Sequence, residues 1–332
     1  MKVLFIAAMA ILLTGCSSST PTHTPTNTPR ESTLNAPTNT PSEPAPNTPT
    51  STTTAEVFQG RLLFARFIEA SHTFTGMYIS KTDGSGETAV PLPWTEGGGR
   101  WSMSGKEIAV PTLLEDGRVG TAIIATDGSV LRVLSIPDTT LNLPCTIWSR
   151  DDTRLACEGW DDSDPSRTGI YTVSASDGSD IQRLTIPPAS KHDLPGDYSS
   201  DGEFVFIRHS GDEGPGPLML VDANGGEPRV LYDDSMEDPG RFSPDGRFVA
   251  TSKDGSLLII DLDGKIVHEI SVSGAFVFGP VWSPDGTRIA FSGTTSGYHA
   301  EIYTSLPDGS DLQRVTNTAS NEIDVDWGVD SE

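Results

Sequence analysis

Basic residues are scarce in this 332-residue chain: 22 Lys and Arg stand against 46 Asp and Glu, a formal charge of −24. Phosphate binding needs a basic surface, so this balance excludes an ordinary nucleic-acid partner. It leaves solubility, basic proteins and divalent cations as what the charge can serve. Cysteine is scarce too, three in all, and none stands in a Cys-x-x-Cys pair. Six histidines (His23, His72, His192, His209, His268 and His299) are scattered without a His-Glu-x-x-His motif, so no local zinc motif is present. They read as satisfied loop or blade residues. A Gly-x-Ser-x-Gly elbow and a glycine-rich phosphate loop are both missing. The chain therefore offers no catalytic motif, and a non-enzyme is expected.

The apolar run at residues 3–13 follows Met1-Lys2 and is too short for a hydrocarbon core that needs about 20 residues. A basic start, a short apolar stretch and small residues after it read as a secretory signal. Its end, Leu13-Thr14-Gly15-Cys16, resembles the bacterial lipobox. That resemblance implies cleavage before Cys16 and a lipid on its sulfur. Residues 1–15 are then the signal peptide, and the protein is held at a membrane outside the cytoplasm. Residues 16–55 begin with Cys16 and continue as Thr-Pro steps with almost no large apolar residue, a composition that stays extended and disordered. In the polyproline form such a tether reaches at most roughly 120 Å.

From residue 56 to 332 the pattern changes to short β-type runs between Gly and Asp turns. Trp282-Ser283-Pro284-Asp285-Gly286-Thr287-Arg288-Ile289-Ala290-Phe291 is one hairpin. Proline presets the second position of a type I turn, and glycine accepts the left-handed conformation that follows. Phe242-Ser243-Pro244-Asp245-Gly246 is a near copy, and looser copies start at Trp101, Trp148 and Tyr198. Trp327 ends the series. The aromatics recur every 40 to 50 residues by their own numbers. Each hairpin is followed by a third run (77–80, 121–125, 169–173, 218–221, 257–260, 301–304), an Asp-Gly or Asn-Gly turn and a short fourth run.

Four strands per unit at that period predict an all-β, six-bladed β-propeller. The first unit, 61–65, lacks an aromatic-ended strand before it, and 323–327 is such a strand without a successor. Pairing the C-terminal strand with the N-terminal blade closes the ring and leaves no free sheet edge. The six aromatics Trp101, Trp148, Tyr198, Phe242, Trp282 and Trp327 then read as packing between blades rather than as a ligand-stacking ring. The order Trp-Ser-Pro-Asp-Gly, Ile-Ala-Phe, Ile-Tyr, Asp-Gly, Arg-Val-Thr over 282–316 resembles the repeat of TolB-like six-bladed propellers. Where TolB carries an α/β unit before its repeats, this sequence carries the anchor and tether.

Cys145 and Cys157 fall on opposite arms of the blade-three hairpin, within reach of a cross-strand bridge. An exported protein sits where disulfides persist, so a Cys145–Cys157 disulfide is expected. Asp161-Asp162-Ser163-Asp164 and Asp233-Asp234 with Glu237-Asp238 could hold Ca²⁺ through oxygen ligands. Neither matches an Asp-x-Asp-x-Asp-Gly loop, so solvated acidic loops are the simpler reading and no cofactor is expected. The function these features imply is recognition. A monomer in the cell envelope would bind a protein, peptide or glycan, with the insertions at 158–168 and 209–217 as contact surface. The competing reading is a propeller-type polysaccharide lyase or hydrolase acting on extracellular glycans.

Overall fold

Serine and aspartate make each hairpin turn self-supporting. In the computed structural model, Ser283 Oγ donates to Asp285 Oδ1 (2.6 Å) and accepts from Arg288 N (2.9 Å), while Thr287 N donates to the same carboxylate oxygen (3.0 Å). Ser243 and Asp245 repeat the pattern. The Ser243 hydroxyl holds the Asp245 carboxyl below its usual range. Gly246 and Gly286 both have φ 72°, the left-handed position that the turn requires.

The structure describes residues 59–68, 73–92, 98–211, 214–295 and 299–330. The residues read above as signal peptide and tether, Cys16 among them, lie outside these residues. The hairpins build six four-stranded antiparallel sheets. Blade 1 holds β1 (Arg61–Ile68), β2 (Thr73–Lys81) and β3 (Thr88–Val90), and blade 2 holds β4 (Arg100–Trp101), β5 (Glu107–Leu113), β6 (Val119–Ala125) and β7 (Val130–Val133). Blade 3 is β8 (Cys145–Trp148), β9 (Arg154–Gly159), β10 (Gly169–Ser174) and β11 (Gln182–Arg183). Blade 4 is β12 (Lys191–Tyr198), β13 (Glu203–Ser210), β14 (Gly216–Asp222) and β15 (Arg229–Met236). Blade 5 is β16 (Arg241–Phe242), β17 (Phe248–Lys253), β18 (Ser256–Asp261) and β19 (Ile266–Ile270). Blade 6 is β20 (Phe276–Trp282), β21 (Ile289–Thr295), β22 (His299–Ser305) and β23 (Gln313–Arg314). The last strand, β24 (Asn321–Gly328), returns to pair with β1, Leu62 opposite Trp327. This is the expected closure. Among the described residues no helix is long and apolar enough to cross a membrane.

The core lies between the blades, as one apolar cluster at each of the six interfaces and a smaller seventh of Phe278, Ala300 and Ile323 where blade 6 meets the closing strand. Period-two alternation sends neighbouring residues of the second strands to opposite interfaces: Ile108 and Val110 pack towards blade 1, Ala109 towards blade 3. Every interface cluster contains one hairpin aromatic. Trp101 sits between blades 1 and 2, Trp148 between 2 and 3, and Tyr198 between 3 and 4. Phe242, Trp282 and Trp327 fill the three interfaces that follow. The indoles also donate hydrogen bonds, two of them across to the preceding blade. Trp148 Nε1 donates to Arg100 O (3.1 Å), Trp282 Nε1 to Arg241 O (3.2 Å) and Trp327 Nε1 to Gln59 O (3.1 Å). The first two acceptors are the carbonyls one residue before the preceding blade's own aromatic, whereas Gln59 lies just before β1 in Trp327's own blade.

Some strands extend further than the sequence pattern suggests. Residues 158 and 159 belong to β9, and 209, 210, 216 and 217 lie in β13 and β14. The two insertions are therefore shorter than their sequence bounds. Asp233 and Asp234 sit inside β15 rather than in a loop; the strand buries Leu231 and Met236, leaves Asp233 exposed and keeps Asp234 half-buried against Lys253.

Candidate functional site

The residue just before each hairpin aromatic faces the central channel at the end where the first strands finish. Going round the ring from blade 1, these residues are Asp326, Arg100, Ile147, Asp197, Arg241 and Val281. The order Asp, Arg, apolar occurs twice, giving the channel a pseudo-two-fold lining. All six border a cavity of about 220 Å³ together with Arg150 and the hairpin prolines Pro244 and Pro284.

Each Asp–Arg half works as a clasp between neighbouring blades. Asp326 Oδ2 accepts from Trp101 N (2.8 Å) in the next blade, and Arg100 Nη1 reaches back to Asp324 O (3.3 Å). Asp197 Oδ2 accepts from Phe242 N (3.1 Å), and Arg241 Nη1 reaches back to Gly196 O (2.9 Å). The second clasp is reinforced by Arg150, which donates to Asp197 Oδ2 (3.1 Å) and to Tyr198 O (2.7 Å). Burial, with the Arg100 charge beside it, pulls the Arg241 guanidinium down to about 10. It therefore stays cationic at neutral pH, at a desolvation cost that a bound anion would offset.

A second depression of about 460 Å³ lies between blades 5 and 6 on the same face, bordered by Phe248, Val267 and Trp282. Its carboxylates, Asp245 and Asp285, are already bonded to Ser243 and Ser283 within their turns. The channel cavity is the better site because blades from all round the ring contribute charged groups to it.

The insertion at 158–168 lies at the opposite end of the channel, since strands 2 and 3 of a blade join at the face away from the hairpin turns. It contains a 3₁₀ turn, Pro165–Arg167, and is pinned. Arg167 bonds Asp138, Thr140 and Asp161, and Tyr171 Oη donates to Arg167 O (2.7 Å). Asp161 accepts from Ser163 N, and Asp164 accepts from Ser166 N. Asp234 pairs with Lys253 (2.6 Å), and Asp238 accepts from Gly279 N (2.7 Å). Asp161, Asp164, Asp234 and Asp238 thus have protein donors, while Glu237 Oε2 is buried without one. Cys145 and Cys157 are directly opposite across β8 and β9, joined by a disulfide and fully buried. Cys16 lies outside the described residues.

Glu158 sits on the same end of blade 3, on β9 opposite Ile170. It keeps a little solvent contact but is walled in by protein, and desolvation alone pushes its carboxyl up to about 7. The sign follows from linkage. An unfolded glutamate ionises near 4.5, so the folded state loses relative stability as pH rises from there to about 7, then levels off. Glu158→Gln should therefore be more stable than the parent by about 2–3 kcal/mol near pH 8 and no more stable near pH 4. Urea unfolding at the two pH values checks this; an equal shift at both would deny the buried acid.

The remaining cluster was not legible in the sequence. His299, Glu301 and Glu322 bring metal-ligating atoms within 4.8 Å of one another. A strand start and the closing strand supply them, and no local motif signals the meeting.

No family model matches the chain. The Tol-Pal system protein TolB of Methylococcus capsulatus is 34% identical over 67 residues, 19% of this chain and 16% of that protein. Among solved structures, TolB from Acinetobacter baumannii superposes with a TM-score of 0.62 at 19% identity, over 81% of this chain and 66% of that one. A putative TolB from Agrobacterium tumefaciens gives a TM-score of 0.56 at 15% identity, over 81% of this chain and 99% of that one. The chain thus spans a small part of the curated TolB and just under two-thirds of the Acinetobacter chain. With the ring closure, the four-stranded blades and the hairpin turns on the page, the described residues form a six-bladed β-propeller of TolB-like fold.

Proposed function

We propose that this chain is a non-catalytic binding protein of the bacterial envelope, exported, lipid-anchored through Cys16 and displayed on its Thr-Pro tether. The propeller recognises an acidic segment of a protein partner at the hairpin-turn end of the channel. The observation that carries this reading is the Asp–Arg–apolar ring. It places two guanidiniums, Arg100 and Arg241, at the wall of a 220 Å³ cavity whose own carboxylates are already bonded to backbone N–H groups. A carboxylate from a partner would meet cations held in place before it arrives. The printed name of the Methylococcus relative, a Tol-Pal system protein, agrees with an envelope setting and a protein partner. A tether raises the effective concentration of such a module near its membrane.

The test is capture from an envelope extract on the immobilised full chain, beside an Arg241→Gln variant whose circular dichroism matches the parent. A partner retained at least about tenfold less by the variant supports the reading. Equal retention would move the contact away from the channel mouth. No retained protein, with new reducing ends or unsaturated sugars released in the extract, would replace it by an activity on glycans.

A further inference from the structure

We propose that His299, Glu301 and Glu322 form a binding site for one zinc ion, or a similar borderline divalent metal, which ties blade 6 to the strand that closes the ring. His299 and Glu301 are two apart on β22, so their side chains share a face. Glu322 comes from β24, where it pairs with Arg66 of β1. Asn321 Oδ1, accepting from Ala300 N (2.8 Å), holds the two strand starts together. Tetrahedral zinc keeps nitrogen and oxygen ligands about 2.0–2.2 Å from the metal, hence about 3.3–3.6 Å from one another. Ligand atoms within 4.8 Å need only a small side-chain adjustment to reach that geometry.

The polar atoms that lack protein partners point to an ion. Glu322 is 0% exposed and its Oε2 is buried without a hydrogen bond. His299 Nε2 stands 3.2 Å from Glu301 Oε1 without the alignment of a hydrogen bond. Such orphaned groups are costly in a protein interior unless something satisfies them. The other oxygens are held in place. Arg66 Nε and Thr318 Oγ1 donate to Glu322 Oε1 (2.7 and 2.6 Å). Arg314 Nη2 and Thr318 N donate to Glu301 Oε1 (2.6 and 3.0 Å), and Thr316 Oγ1 donates to Glu301 Oε2 (2.5 Å). These are the outer contacts that orient metal-binding carboxylates.

Charge allows the ion. Arg66 is shared with Glu87 (2.8 Å), so three carboxylates face two guanidiniums before the metal arrives. One imidazole with two carboxylates favours zinc over magnesium or calcium, which prefer all-oxygen sets. His299 is the partly exposed member and gives the ion its way in.

The full chain, stripped with a chelator, should bind one zinc per chain in calorimetry at moderate salt, with a higher melting temperature when loaded. His299→Asn, at the exposed edge where folding is not at risk, should weaken binding about tenfold or more. Glu322→Gln should do the same, and circular dichroism checks that it folds. Zinc held equally well by His299→Asn would put the ion on the acidic surface and overturn the site, as would a stripped parent that shows no saturable binding. The cluster lies at the opposite end of the channel from the proposed partner site, so either result leaves that reading unaffected.

Discussion

Replacing Trp282 by alanine is expected to destabilise the protein by about 3–5 kcal/mol. The indole is 7% exposed and packs with Ala250, Ile289 and Phe291 between blades 5 and 6. Its N–H also binds Arg241 O of the preceding blade, so truncation leaves a cavity and an orphaned carbonyl together. In a repeat architecture each unit is stabilised largely by its neighbours, and a weakened interface cannot be made good elsewhere. Trp282→Phe separates the two contributions: the phenyl ring keeps most of the packing, and losing the indole hydrogen bond should cost about 1 kcal/mol. Urea unfolding of both variants measures the split. A midpoint unmoved by Trp282→Ala would contradict the interface assignment for all six aromatics.

The blades were legible because their signals are local. Turn chemistry at Ser283-Pro284-Asp285-Gly286 fixes a hairpin whatever lies elsewhere, and a period-two apolar run such as Ile289-Ala290-Phe291 fixes a strand. Ring closure was legible for the same reason, since an opening strand without a first partner and a last strand without a second are both visible in one pass. The edges of the blades were harder. β11 and β23 are only two residues long, and β15 carries the adjacent acidic pair Asp233 and Asp234, which reads as loop.

The site needed a comparison between units instead of within one. The residue before each aromatic looks unremarkable alone, and its Asp–Arg–apolar order emerges only when six units are aligned. That signal was in the sequence, one position upstream of residues already singled out. His299 and Glu322 offered no such handle, because the contact between blade 6 and the closing strand brings them together through the fold alone.

Asp197→Ala should cost about 3–5 kcal/mol at neutral pH, the expected loss when one partner of a buried ionic contact is removed. Its side chain is 12% exposed and carries three bonds. Oδ1 accepts from Tyr198 N (2.8 Å), and Oδ2 accepts from Phe242 N and Arg150 Nη2. Alanine would leave two buried N–H groups unpaired and remove the negative charge that faces Arg150 and Arg241. Asp197→Asn keeps an oxygen for Phe242 N but not the charge, so it should fall between alanine and the parent. The pseudo-two-fold lining extends this expectation across the ring. Asp326 makes the equivalent bond to Trp101 N, but among the described residues no arginine pairs with it as Arg150 does with Asp197, so Asp326→Ala should destabilise less than Asp197→Ala. Chemical unfolding of the three variants measures this order. Equal costs for the two alanine variants would mean that the backbone bond carries the clasp and the Arg150 ion pair adds little.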